Sequence, residues 1–134
     1  MSSAINGILE KFRRGDEADA FYDLLELPGA LLPDLIREFN AEPESHVRAL
    51  LIKVAWERRE DGIVSFLHNA LEVADELVWQ QALDGLVAFA SPEVHEILLS
   101  ARNREFADRT LTNRFRLWLE EAIQQVEFEL RART

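Results

Sequence analysis

The side chains of this 134-residue chain best suited to chemistry are three histidines, one serine ahead of a proline, and many carboxylates. His46, His68 and His95 are scattered. None has a second histidine four residues on, the spacing that aims two ring nitrogens at one metal ion. His68 and Glu72 are spaced to share a helical face, which is ordinarily a surface contact. Ser91 as a nucleophile would need a partnered histidine and an oxyanion donor. Directly before Pro92 it reads instead as a helix cap. The five glycines form no phosphate-cradling loop, and there are no cysteines for disulfides or thiolate ligands. Carboxylates do acid–base work only where an apolar pocket separates their pKa values. Those here fall at turns and helix starts, in water. The expectation is no catalytic residue, no metal and no cofactor.

The carboxylates matter more as a charge pattern. The chain carries 25 acids against 15 bases, a net charge of -10, which argues against nucleic acid as the ligand. Between Arg59 and Arg102 there is no Lys or Arg, while Glu60, Asp61, Glu72, Asp75, Glu76, Asp84, Glu93 and Glu96 all fall in that window. One reading is a solvated, solubilising surface. The other is a docking face for a basic partner, with Glu72, Asp75 and Glu76 crowding one turn and Glu57, Glu60 and Asp61 crowding another. Unpaired acids so close repel one another, and a surface without a function would normally intersperse bases. Trp79, with Gln80 and Asp84 beside it facing outward, stands at the border of an apolar stripe as an interface anchor would. Trp56 and Trp118 read as core.

The elements that position these residues come from apolar spacing. Leu32, Leu35 and Ile36 recur 31 residues later as Ile63, Phe66 and Leu67, and 31 later again as Val94, Ile97 and Leu98. Each triplet has the i, i+3, i+4 spacing of one helix face. A second helix follows in each repeat, through Val47, Leu50, Leu51, Val54 and Ala55, then Val78, Ala82, Gly85, Leu86 and Phe89. The third runs through Leu111, Phe115, Trp118, Leu119, Ala122, Ile123 and Val126, holding its register for four turns. Ser91-Pro92-Glu93 and Asp61-Gly62 mark helix starts. Glu42 to Ser45 and Glu72 to Asp75 mark breaks between paired helices. Ala4 to Arg14 and Ala18 to Leu27 form two earlier helices, closed by Leu27-Pro28-Gly29. No strand is predicted. The last helix leaves a candidate self-contact, since no later repeat covers it; Phe128 and Leu130 extend past the expected core, and fraying is expected beyond Glu127.

Leu31-Leu32-Pro33-Asp34-Leu35-Ile36, a short acidic break, then Val47-Arg48 resembles a HEAT or HEAT-like (PBS lyase type) repeat over roughly residues 30 to 122. The middle repeat is similar but carries Trp79 where the arginine would stand, and the third lacks the Val-Arg pair. The resemblance implies an all-α, α-α superhelix: a short solenoid of helical hairpins at 30–60, 61–91 and 92–122. Residues 1–28 would form N-terminal capping helices and 123–134 would continue the last helix, all in a single domain. It also implies that second helices line the concave side, which would put Lys53, Glu57, Trp79, Gln80 and Asp84 across one binding surface together with Glu72, Asp75 and Glu76.

The composition, 48% hydrophobic and 30% charged, suits one packed domain. No apolar run approaches the roughly 20 residues of a membrane span, and Met1-Ser2-Ser3-Ala4-Ile5 lacks the layout of a signal peptide. A cytoplasmic protein is expected. The preferred function is a non-enzymatic protein-interaction module, specifically an immunity or inhibitor protein. It is similar to short acidic helical-repeat proteins of bacterial type that occlude a basic partner such as a toxin nuclease. The alternatives are a scaffold or assembly subunit, or an enzyme of the bilin-lyase or DNA-glycosylase kind that shares HEAT-like repeats. A monomer or weak homodimer is expected.

Overall fold

The computed structural model describes residues 3–133. Met1 and Ser2, part of the segment scanned for a leader, and Thr134, the end of the expected helix continuation, lie outside the described residues. Among the described residues the chain is all-α. It forms α1 (Ser3–Arg13), α2 (Glu17–Glu26), α3 (Leu32–Ala41), α4 (Ser45–Arg58), α5 (Ile63–Ala70), α6 (Glu76–Phe89), α7 (Pro92–Ser100), a one-turn 3-10 helix (Ala101–Asn103) and α8 (Arg109–Ala132). The expected breaks at Gly15-Asp16, at 42–44 and at 72–75 separate helices as the punctuation predicts. No helix among the described residues is long and apolar enough to cross a membrane. The fold divides into two compact units, residues 1–63 and 64–134, with the division one residue into α5.

In the first unit, α1 buries Ile5, Leu9 and Phe12, one stripe of its surface, and packs on α2, which buries Ala20 and Leu24. α3 contributes Leu32, Leu35 and Phe39. α4 differs: Val47, Leu50, Leu51, Ile52, Val54 and Ala55 are all buried, too many for a single stripe. A helix apolar nearly all round must be surrounded, and α4 packs against α1, α2 and α3. Past its end the chain turns through two left-handed residues, Arg59 (φ 54°) and Gly62 (φ 89°). At Gly62 the missing Cβ removes the steric penalty of that conformation.

In the second unit α8 packs against α6 and α7 through Phe115, Leu119, Ala122, Ile123 and Val126. Side-chain caps start three helices. Asp75 Oδ1 accepts from the amides of Leu77 and Val78, Ser91 Oγ from Val94 (3.1 Å), and Asp108 Oδ1 from Thr110 and Leu111. Such caps satisfy amides that the first helical turn leaves without partners. The fraying expected beyond Glu127 is corrected: α8 continues to Ala132. Arg133 Nη1 donates to the carbonyl of Ala90 at 2.8 Å and His95 meets Glu127 at 3.0 Å, tying the last turns down.

Candidate functional site

The residues expected to bind fall in both units, with Lys53 and Glu57 in the first and the others in the second. Lys53 is exposed, its ammonium 4.9 Å from the centre of the Phe21 ring. Glu57 is half-buried beside Leu25, Leu27, Arg58 and Glu60. Its neighbour Glu60 is no docking acid. The Arg58 guanidinium donates to the carbonyls of Leu24, Leu25, Leu27 and Gly29 at the end of α2, and through Nε to Glu60 at 2.7 Å. Glu60 in turn accepts from the amides of Leu31 (2.7 Å) and Leu32 (2.8 Å) at the start of α3. The two side chains, only 9% and 16% exposed, clamp the α2–α3 connection at both ends. Burial pushes the Glu60 carboxyl up, but the bonds from Arg58 and from the Leu32 and Leu31 amides outweigh it and hold it below its ordinary range.

The turn before α6 needs a similar correction. Glu72 accepts from Arg104 at 3.2 Å, and Glu76 accepts from Arg114 Nε at 2.7 Å and from Gln80 at 3.1 Å. Asp75 is the N-cap of α6. The window without bases in the sequence thus receives its bases through space, from arginines 32 and 38 residues further on. The mutual repulsion that marked Glu72, Asp75 and Glu76 as a docking cluster is compensated inside the second unit.

Trp79 is corrected most sharply. It is 0% exposed, with Phe115 edge-on at 5.2 Å and Trp118 at 6.4 Å between ring centres. Its position on α6 looked like a border because the covering side chains come from α8. A fully buried Trp cannot anchor a partner. Trp118, expected in the core, is 41% exposed. Its ring meets Trp79 at 72° and remains partly at the surface.

Of the expected residues, Asp84 stands at a surface concavity. It lines a small crevice of about 140 Å³ with Leu83 and Val87 of α6 and Trp118, Glu121 and Gln125 of α8. Val87, Glu121 and Gln125 also line an open groove of about 870 Å³ that continues to Phe128 at the far end of α8. Five large apolar side chains are exposed among the described residues, and three lie on α8: Leu117 (74%), Trp118 (41%) and Phe128 (64%). Asp84, Glu121 and Glu129 are exposed around the same concavity, with Arg131 and Arg133 at its far end. The surface therefore offers aromatic anchors with carboxylates beside them, the composition of a protein-docking site. Sequence spacing puts Trp118 in the core and Phe128 past it, and misses Glu121 and Gln125, although the 3, 4, 3 intervals of the four form a second stripe on the long helix. Among the described residues no three His, Asp or Glu side chains are grouped to hold a metal ion.

The fold and this surface define an all-α chain with a groove between two helices that carries aromatic side chains, carboxylates and, at its far end, two arginines. No protein-family model, curated protein or solved structure matches the chain.

Proposed function

We propose that the chain is a non-enzymatic protein-interaction module that seats a basic helical segment of another protein in the α6–α8 groove. The observation that carries this reading is the composition of the groove's Trp118 end, where Asp84 and Glu121 stand beside the exposed ring with no base in the lining, while Arg131 and Arg133 lie at the Phe128 end. Helices dock in grooves through apolar anchors spaced along one face. Carboxylates beside the anchors select lysines and arginines, and the net charge of -10 speeds encounter with a basic protein. The 31-residue recurrence of apolar triplets supports a finer description, a HEAT-like solenoid of helical hairpins behind N-terminal capping helices. Within this class the favoured role is an inhibitor of immunity type, which occludes the basic site of a cytoplasmic partner such as a nuclease toxin.

The test is affinity capture at low and moderate salt with three baits: wild type, Asp84→Arg/Glu121→Arg, and Glu93→Arg/Glu96→Arg as a charge-matched control on α7. A basic protein bound by wild type and control, and lost with the groove variant, supports the reading. Equal capture by all three baits overturns it.

A further inference from the structure

We infer that a concavity of the second unit, between the 104–108 loop and the first two turns of α8, binds a phosphate monoester. The stretch around it reverses the character of the chain. Arg102, Arg104, Arg109, Arg114 and Arg116 stand there against only Glu105 and Asp108, in a protein with a net charge of -10. Three of these arginines are matched inside the unit: Arg102 by Glu120 at 2.8 Å, Arg104 by Glu72 at 3.2 Å and Arg114 by Glu76 at 2.7 Å. The two that remain line one space of about 200 Å³. Arg109 has no ion pair among the described residues. Arg116 reaches only Glu105, at 3.5 Å, beyond the roughly 2.7–2.9 Å of a charge-assisted bond.

Packing fixes both walls. Arg109, Asn113 and Arg116 stand at i, i+4 and i+7, on one face of α8. Thr112 turns inward, where its hydroxyl accepts from the amide of Phe106 at 2.9 Å and donates to the carbonyl of Asp108 at 3.0 Å. Phe106 packs edge-on against Phe115, with ring centres 5.4 Å apart, and forms the apolar part of the lining. Asp108 spends its carboxylate on the amides of Thr110 and Leu111. The guanidiniums, and not the helix end, are therefore the donors on offer.

Charge and shape select the ligand. A carboxylate is already within reach as Glu105, and it engages one guanidinium at long range. A phosphate monoester brings close to two negative charges and three terminal oxygens. It can bridge Arg109 and Arg116, whose planar forks suit phosphate, and accept from the Asn113 amide as well. Its entry sends Glu105, a side chain 76% exposed, into water. The volume holds the phosphoryl group and its first carbons, so the rest of the ligand lies outside. The concavity shares no residue with the α6–α8 groove, and the inference stands or falls apart from that groove's partner.

An NMR titration of the full chain at constant ionic strength tests it. The probes are phosphoserine, a peptide carrying phosphoserine, and the same peptide with serine or glutamate in its place. Saturable shifts confined to residues 104–116, with a dissociation constant on the order of 0.1–1 mM for the phosphorylated probes, are expected. Arg109→Gln, at an exposed position, should raise that constant about fivefold or more. Arg14→Gln, which removes the same charge just past α1, should change it by less than about twofold. Glu105→Gln removes the internal competitor and should lower it about two- to five-fold. Equal affinity for free phosphoserine and its peptide makes a small phosphate ester the source of the ligand, and tighter binding of the peptide makes it a phosphorylated protein. Shifts that do not saturate, a glutamate peptide bound as well as the phosphorylated one, an Arg109 variant no weaker than the Arg14 variant, or a Glu105 variant no tighter than wild type each overturn the inference.

Discussion

Glu60 shows how far a single side chain's role depends on what surrounds it. By composition it belongs to a run of acids, and by geometry it holds the start of α3 while Arg58 holds the end of α2. Its carboxyl sits below the ordinary value of 4.5, with burial opposing the shift and Arg58 and the Leu32 and Leu31 amides driving it. A group depressed in the folded state binds its proton first in the unfolded chain. The stability it contributes is therefore complete above about pH 4.5 and drains away as pH falls through the lower folded value. Glu60→Gln should cost roughly 1–3 kcal/mol at pH 7, where a charged acceptor is lost from three donors. The gap to wild type should close in acid. Urea denaturation at pH 7, 5 and 3 measures this, and parallel curves for the two proteins would assign the acid sensitivity to other carboxylates.

At the scale of the helix, Asp75 separates a structural role from a docking role. Its Oδ1 caps α6, and removing an N-cap oxygen costs about 1 kcal/mol. Asp75→Ala should lose that amount in chemical denaturation, whereas Asp75→Asn, which keeps the acceptor and drops the charge, should stay near wild type. Stability that followed charge rather than the acceptor would remove the cap as the reason for Asp75. The helices themselves were legible because the triplets at Leu32, Ile63 and Val94 obey a local rule, and because Asp16, Pro43, Asp75 and Ser91 mark their ends with local chemistry. What crossed between helices was not legible. Arg104 and Arg114 reach back to Glu72 and Glu76 over 32 and 38 residues, so a window empty of bases in sequence is not empty in space. Trp79 was misjudged for the same reason. Its stripe on α6 was read correctly, but the rings of Phe115 and Trp118 that close over it belong to another element. Asp84 and the exposure of Phe128 are legible, but the groove as a whole is not, because Trp118 lies beside the core stripe of α8 and only knowing which side α6 covers separates the two.

For the whole chain the decisive quantity is charge, and it is spread evenly. Residues 1–63 hold 8 bases and 13 acids, and residues 64–134 hold 7 and 12, so each unit carries -5. Every encounter between two copies therefore sets one negative body against another, while every encounter with a basic partner is attractive. Salt acts on these in opposite directions, because the screening length falls from roughly 14 Å near 0.05 M to about 4 Å near 0.5 M. Partner binding draws on the same charge and should weaken. Affinity capture of the basic partner at four salt concentrations makes the comparison. Capture that is indifferent to salt would leave the apolar anchors Trp118 and Phe128, and not the net charge, as what holds the partner.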